Sequence, residues 1–406
     1  MQAKTRRKTI PKIYPEHIPG PNAVRRVYHP RQLALFTNTP DPIPIGIYWE
    51  PDEGEEIIID EGLSMVKNGR SSQLLISGHG VFLEEKNDRL VVSKQGKVIY
   101  EFPLFRMNDV IITSKGVSIS SDLITVLCQK GVRLSFLGYM GKPFAMITSP
   151  LLTSTTITRR EQILAFKDRR GAELSKAILA AKLRNQEKLL LSFNKSFKQK
   201  DLKRSGKIQE AARSIKILEG KVKRIGGESI DDIRSILMEI KEDGERMYWE
   251  GIRRIIDRKF EFLGRVHPHA TEIVSSMLTY GYGLLYSQIW GAILHAGLEP
   301  FAGFMHVDHP GKSSLVLDLV EEFRQPIVDL PIISQVSIGE IRHMQNGLLD
   351  SEVKESIGQR ILERLESTEM YEGREYQIKS IVQIQARHLA TFLRDEKRYK
   401  PFRFKW

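Results

Sequence analysis

Hydrophobic periodicity changes near Ser149, and that change restricts the chain to two unlike parts. From about residue 55 to Ser149 the apolar residues come in short runs: EIIID, SQLLIS, RLVVS, KVIYEF, DVIITS, GVSIS, VRLSFL and FAMITS. Each run is bounded by glycine, asparagine, aspartate or lysine and is rich in β-branched and aromatic residues, as strands on a half-buried pleated surface are. Their spacing of roughly 8–12 residues predicts a small β-sandwich-like domain. One helix is expected to interrupt it at SDLITVLCQKG, with Leu123, Ile124, Leu127 and Cys128 on one face. Cys128 then reads as a buried small hydrophobe.

Beyond Ser149 the period becomes helical. RREQILAFKDRRGAELSKAILAAKLRNQEKLLLSF places apolar residues three and four apart over many turns. Residues 195–227 carry 11 basic and three acidic side chains, which suits a solvated face, a linker or a track for a phosphate backbone. Further helices are predicted at 230–262, 271–296, 315–323, 339–343, 351–365 and 376–395. The expected architecture is therefore α+β: a β domain at 46–150, then a larger all-helical domain at 151–406. Residues 1–45 hold eight of the 18 prolines and eight basic residues against two acidic, which predicts an extended basic arm.

Charge narrows the partner. Lysine plus arginine exceeds aspartate plus glutamate by 62 to 50, a net charge of +12, which favours a polyanion such as nucleic acid. No run approaches the roughly 18 apolar residues of a membrane span. The first 20 residues have no hydrophobic signal core, so an intracellular, cytoplasmic protein without a membrane partner is expected. A single cysteine excludes an intramolecular disulfide framework and cysteine-clustered metal sites. No Walker loop, GxGxxG or GxSxG is present, so ATP, NAD and serine-hydrolase chemistry lack support.

Three segments carry candidate chemistry. In FAGFMHVDHPGKSSLVLDLVEEFRQPIVD, His306 precedes a glycine turn, and Asp318 and Glu321 share a face of the following helix. A histidine and carboxylates so placed suit Mg²⁺ or Mn²⁺ better than structural zinc. RSILMEIKEDGERMYWEGI offers Glu239, Glu242 and Glu245 as a third ligand. In LTYGYGLLY, Gly281 and Gly283 each cost a helix about 1 kcal/mol relative to alanine, so a close approach is expected there. Lys312 and Arg324 are candidates to hold phosphates, or are ordinary helix-end charges, and Tyr248 suits stacking on a nucleic-acid base and core packing equally. The C-terminal KRYKPFRFKW suits nucleic-acid binding and docking on the helical domain equally.

LTYGYGLLY, AGLEPFAGFMH and LVLDLVEEFRQPIVD, in this order, resemble the CRISPR-associated adaptation integrases. The likeness extends over the β domain and RREQ at 159–162, while residues 1–45 have no counterpart in it. It implies a metal-dependent DNA endonuclease and integrase of spacer acquisition. Such a protein would pair through its β domain into a homodimer and bind a small ferredoxin-like companion protein. It would insert a DNA duplex with 3′ overhangs into CRISPR repeat DNA by 3′-hydroxyl attack on a phosphodiester. The resemblance carries the metal ligands to His306 and Asp318, with Glu321 as the accompanying acid. The family's glutamate, seven residues before the tyrosine of the YW pair, falls on Lys241. Glu242, one residue on, is the ligand expected there, with Glu245 as the alternative or the ligand lost. Loss would leave a catalytically weakened relative that serves as a DNA-binding scaffold.

Overall fold

The computed structural model describes residues 55–60, 63–68, 71–138, 141, 143–147, 149, 156–265, 272–337 and 349–406. The expected arm at 1–45 and helix at 339–343 lie outside these residues. Ten strands come first: β1 (Glu55–Asp60), β2 (Leu63–Asn68), β3 (Ser71–Ile76), β4 (Val81–Lys86), β5 (Arg89–Lys94), β6 (Lys97–Pro103), β7 (Met107–Ile112), β8 (Ser118–Ile119), β9 (Arg133–Leu137) and β10 (Pro143–Ile147). Helix α1 (Ser121–Lys130) interrupts them, begun by the Ser120 cap and ended by Gly131 in the left-handed region. Leu123 and Leu127 are its buried residues, whereas Cys128 is only half-buried.

The strands form a six-stranded sheet, β1-β2-β3-β7-β9-β10, and a four-stranded sheet, β6-β5-β4-β8. The β3/β7, β7/β9 and β4/β8 pairs are parallel. Alternation along the central strands explains their continuous apolar runs. Leu74, Ile76, Val110 and Ile112 face a core shared with the smaller sheet, while Leu75 and Ile111 face the helical core. The central strands of the larger sheet are thus covered on both sides.

The helical part comprises α2 (Thr156–Ala165), α3 (Arg169–Asn194), α4 (Leu202–Val222), α5 (Ile230–Ile255), α6 (Ile273–His295), α7 (Ser314–Val320), α8 (Leu330–Ser337), α9 (Ser351–Glu366) and α10 (Ile378–Leu393). The basic stretch at 195–227 is mostly α4, which buries Ile208, Ala212, Ile215, Leu218 and Val222 and turns its lysines outward. Sequence patterning did not reveal the hairpin of β11 (Thr368–Tyr371) and β12 (Arg374–Gln377) that precedes α10.

Helix α6 is buried around most of its circumference. A Cβ at Gly281 would press on Ile361, Val328 and Ile332, and one at Gly283 would fall within the Gly141 backbone between β9 and β10. The expected close approach is therefore helix-to-helix at Gly281 and helix-to-β-domain at Gly283. Between α7 and α8 the chain takes wider π-type turns over Arg324–Asp329, around Pro326, which has no N–H to donate.

The C-terminal aromatics dock on the helical core. Phe402 is 2% exposed and stacks on Phe323 with ring centroids 5.1 Å apart. The Phe402 amide donates to Glu322 and the Phe404 amide to Asn185, while Arg403 and Lys405 stay exposed.

Candidate metal centre

His306 is fixed by the loop that carries it. Gln162 of α2 donates to the Glu299 and Ala302 carbonyls and accepts from the Glu299 amide, which sets the turn entering FAGFMH. Asp318, on α7 and 1% exposed, closes the same loop from below. Its Oδ2 accepts from the amides of Phe304 (2.7 Å) and Met305 (3.1 Å). Its Oδ1 accepts from the His306 amide (3.0 Å) and lies 2.7 Å from His306 Nδ1. An ionised carboxylate only accepts, so Nδ1 carries the ring proton and Nε2 presents a lone pair.

Nε2 points toward Glu321, 3.9 Å from its Oε1. Glu321 lies one turn beyond Asp318 and is buried, yet it lines an open cleft of about 720 Å³ together with His306, Glu245, Lys182, Lys241 and Arg324. Lys182 of α3 bridges the two acids: its ammonium is 2.7 Å from Glu321 Oε2 and also hydrogen-bonds Glu245 Oε1. Lys241 Nζ is 3.2 Å from Glu245, and Arg324 Nε is 3.1 Å from Glu321.

Electrostatics follow from this crowding. Burial acts to raise the Glu245 carboxyl, but Lys182 and then Lys241 outweigh it and hold it at about 2. Burial likewise opposes ionisation of Glu321, and Arg324, Lys182 and Lys241 hold it well below the ordinary glutamate range. Burial disfavours the Lys241 ammonium, yet Glu321 and Glu245 raise its pKa. Both acids stay ionised at pH values where an isolated glutamate would be protonated.

The residues singled out from sequence therefore separate. His306 and Glu321 meet in the cleft. Asp318, expected as a ligand, has both oxygens engaged by donors of the His306 loop and sits behind the imidazole. Glu245 faces the site, whereas Glu242 and Glu239 are exposed and Glu242 only lines the cleft wall. Helix phase is the reason. Lys241 and Glu245 are four apart on one stripe beside the buried Gly244 and Tyr248, and Glu242 is turned about 100° toward solvent.

Of the two readings of Tyr248, core packing holds and the DNA-stacking role is corrected. The side chain is 0% exposed and donates to Asp329 Oδ2 at 2.7 Å, so it has no face for a nucleic-acid base. Tyr282 donates to the other oxygen of Asp329 and carries Arg324 on its ring, 4.6 Å from the centroid. Arg324 reaches the cleft; Lys312 is exposed on the turn after His309 and is not among the residues lining it.

Sequence reasoning missed Lys182. A signal existed: it lies on the apolar stripe of α3 with Ile178, Gln186 and Leu189, and a lysine there is rarely buried unless paired. The residues fit a divalent cation. Two carboxylates and a free imidazole nitrogen form a mixed oxygen–nitrogen donor set, and the Lys182 ammonium already marks a cation position between the acids. Buried Oε1 atoms of Gln186 and Gln325, both on the cleft, have no hydrogen-bond partner among the described residues. Those described residues nevertheless contain no group of three or more acidic, histidine or cysteine side chains already closed around an ion.

Comparisons with known proteins agree with this fold. The family model for CRISPR associated protein Cas1 matches residues 74–367. The CRISPR-associated endonuclease Cas1 1 of Archaeoglobus fulgidus is 34% identical over 347 residues, covering 82% of this chain and 100% of its own. Among solved structures, a casposase bound to integration product superposes with a TM-score of 0.66 at 24% identity, over 79% of this chain and 90% of the other. A chain of a Cas6-RT-Cas1–Cas2 complex gives 0.65 at 17% identity, over 80% and 35%. The chain belongs to the Cas1 family, and it shares that family's fold of a β-sheet region followed by a helical one.

Proposed function

We propose that this protein is a metal-dependent DNA endonuclease and integrase of CRISPR spacer acquisition. One observation carries the reading: Glu245, Glu321 and His306 Nε2 converge on a cleft in which a lysine ammonium already bridges the two acids. Glu245, Glu321 and His306 would hold the ion, with Asp318 positioning the imidazole; this exchanges the roles that sequence gave to Asp318 and Glu321. Bound Mg²⁺ or Mn²⁺ would supply Lewis-acid stabilisation of the charge that develops on a phosphodiester under attack.

The protein's own part is positioning. Asp318 keeps the proton on Nδ1, so Nε2 needs no reorganisation to ligate. Arg324, stacked on Tyr282, and Lys241 present fixed cations to non-bridging phosphate oxygens. The attacking group is a DNA 3′-hydroxyl and the leaving group another, so one phosphodiester replaces another and no ATP is required. Substrates are a short duplex with 3′ overhangs and repeat DNA. The working assembly is a homodimer with a Cas2-type companion, in keeping with the Cas1–Cas2 complex whose chain shares this fold.

Strand transfer with Mn²⁺ tests the reading. His306→Ala and Glu245→Gln should each lose at least about a hundredfold, whereas Glu242→Gln should stay within about threefold of wild type. Undiminished transfer by His306→Ala would contradict the metal centre. A second reading, a DNA-binding scaffold without chemistry, is favoured by Lys182, Lys241 and Arg324 outnumbering the two carboxylates. DNA binding with no metal-dependent transfer in the wild type would select it.

A further inference from the structure

Glu321 stands where the chain leaves regular helix at the end of α7. The amides of Glu321, Glu322 and Phe323 reach back only three residues, to the carbonyls of Asp318, Leu319 and Val320. The wider turns then begin at Arg324. No α-helical ladder locks this stretch, so its position depends on what packs against it. Successive side chains turn by about 100° in a helix. Glu321 accordingly lines the cleft, whereas Glu322, 0% exposed, meets the C-terminal segment.

That segment grips the stretch from several sides. The Phe402 amide (2.6 Å) and the Tyr399 hydroxyl donate to the Glu322 carboxylate, which also accepts from Gln385 of α10 at 3.0 Å. The Phe402 ring lies 15° from parallel to that of Phe323, the next residue. Asn185 of α3 ties the two stretches together. Its amide donates to the Glu322 carbonyl (2.9 Å) and accepts from the Phe404 amide (3.1 Å). Asn185 stands three residues after Lys182, on the helix that brings the ammonium to the cleft. Phe404 in turn carries Arg364 on its ring, and Arg364 Nε donates to the Pro326 carbonyl within the wider turns, at 2.8 Å. All three donors to Glu322 are neutral. A buried carboxylate held in this way costs more than an apolar side chain of similar size, so it suits a directional hold on one residue better than plain docking of an aromatic tail.

We propose that the C-terminal segment is a positioning element of the metal centre: Tyr399 and Phe402, acting through Glu322 and Phe323, hold the backbone of Glu321 where its carboxylate can ligate. The inference rests on Glu321 being a ligand, and its test separates the two. A ligating group must be kept within about 0.5 Å of its working place by the residues that support it. Tyr399 and Phe402 do not line the cleft, yet they contact the two residues that directly follow the acid. Loosening them therefore shifts Glu321 while leaving His306, which Asp318 holds independently, in place.

The test uses the full-length chain and reads bound Mn²⁺ by electron paramagnetic resonance, well below each variant's thermal midpoint. Tyr399→Phe keeps the ring and removes one donor to Glu322, so Mn²⁺ binding should weaken about three- to tenfold, the worth of one hydrogen bond. Phe402→Ala removes the ring stacked on Phe323 and should weaken it about ten- to a hundredfold, with a broadened spectrum of the bound ion. Leu83→Ala, in the core between the two sheets, is the control for stability alone. It should lower the midpoint and leave Mn²⁺ affinity and spectrum at wild-type values. Wild-type Mn²⁺ affinity in both Tyr399→Phe and Phe402→Ala would overturn the positioning role, and so would an equal loss in Leu83→Ala. His306→Ala tests the metal reading separately: uptake should be lost there, and its persistence would overturn the metal centre and the segment's role with it.

Discussion

At the scale of single residues, the proposed metal centre pairs a carboxylate that would ligate, Glu321, with one that orients the imidazole, Asp318. Asp318 accepts three backbone amides and the imidazole. Asp318→Asn should weaken Mn²⁺ binding about ten- to a hundredfold, the usual cost of losing the carboxylate behind a ligating histidine. Lys241→Met removes a cation 3.2 Å from Glu245 and should tighten Mn²⁺ binding, read by titration calorimetry. Acid stability gives an independent check in metal-free buffer. The Glu245 carboxyl sits at about 2 when folded against an ordinary 4.5, so the unfolded chain takes up its proton first as pH falls. The stability it contributes is full above about pH 4.5 and disappears as pH drops toward 2. Glu245→Gln should therefore show a shallower fall in thermal midpoint over that window. His306 and Glu321 were legible in sequence because one loop and one helical turn bring them together. The acid on α5 was only half legible: sequence favoured Glu242 and kept Glu245 as the alternative, since a change of phase on that helix moves a side chain from the cleft to solvent, and Lys182 arrives from a helix more than a hundred residues before Glu321.

At the scale of elements, the structure depends on how the β domain meets α6. Arg133 of β9 forms a two-point ion pair with Asp109 of β7, at 2.6 and 2.8 Å, and also reaches the Gln288 carbonyl and side chain on α6. Both charged side chains are nearly inaccessible. Arg133→Met would strand Asp109 in the interior and should cost about 3–5 kcal/mol in denaturant unfolding, whereas an exposed pair such as Arg89–Glu101 should cost well under about 1. The switch from a two-residue to a helical period announced these two parts, because burial of one strand face or one helix stripe leaves a repeating mark. The β11–β12 hairpin left none: TEMYEGREYQ is half-exposed and mostly polar, so no apolar alternation marked it. Helix α4 was obscured by its charge although its buried stripe was present.

At the scale of the whole molecule, an excess of 12 positive charges predicts DNA binding that weakens steeply with salt and depends little on base sequence. Among the described residues no helix is long and apolar enough to cross a membrane. The C-terminal segment, open to two readings in sequence, packs its aromatics inward and its charges outward. Removing residues 399–406 would uncover Phe323 and strip Glu322 of the Tyr399 and Phe402 donors, so the thermal midpoint should fall by several degrees or more. Arg403→Gln/Lys405→Gln should leave that midpoint unchanged, because both side chains are exposed.

The central claim is where a divalent ion sits, and anomalous scattering from crystals soaked in Mn²⁺ locates it directly. One ion about 2.0–2.3 Å from Glu245, Glu321 and His306 Nε2, with Lys182 moved aside, is the predicted result. An ion held by Glu242 and Asp318, or a cleft in which Lys182 still joins Glu245 to Glu321 at saturating Mn²⁺, would contradict it.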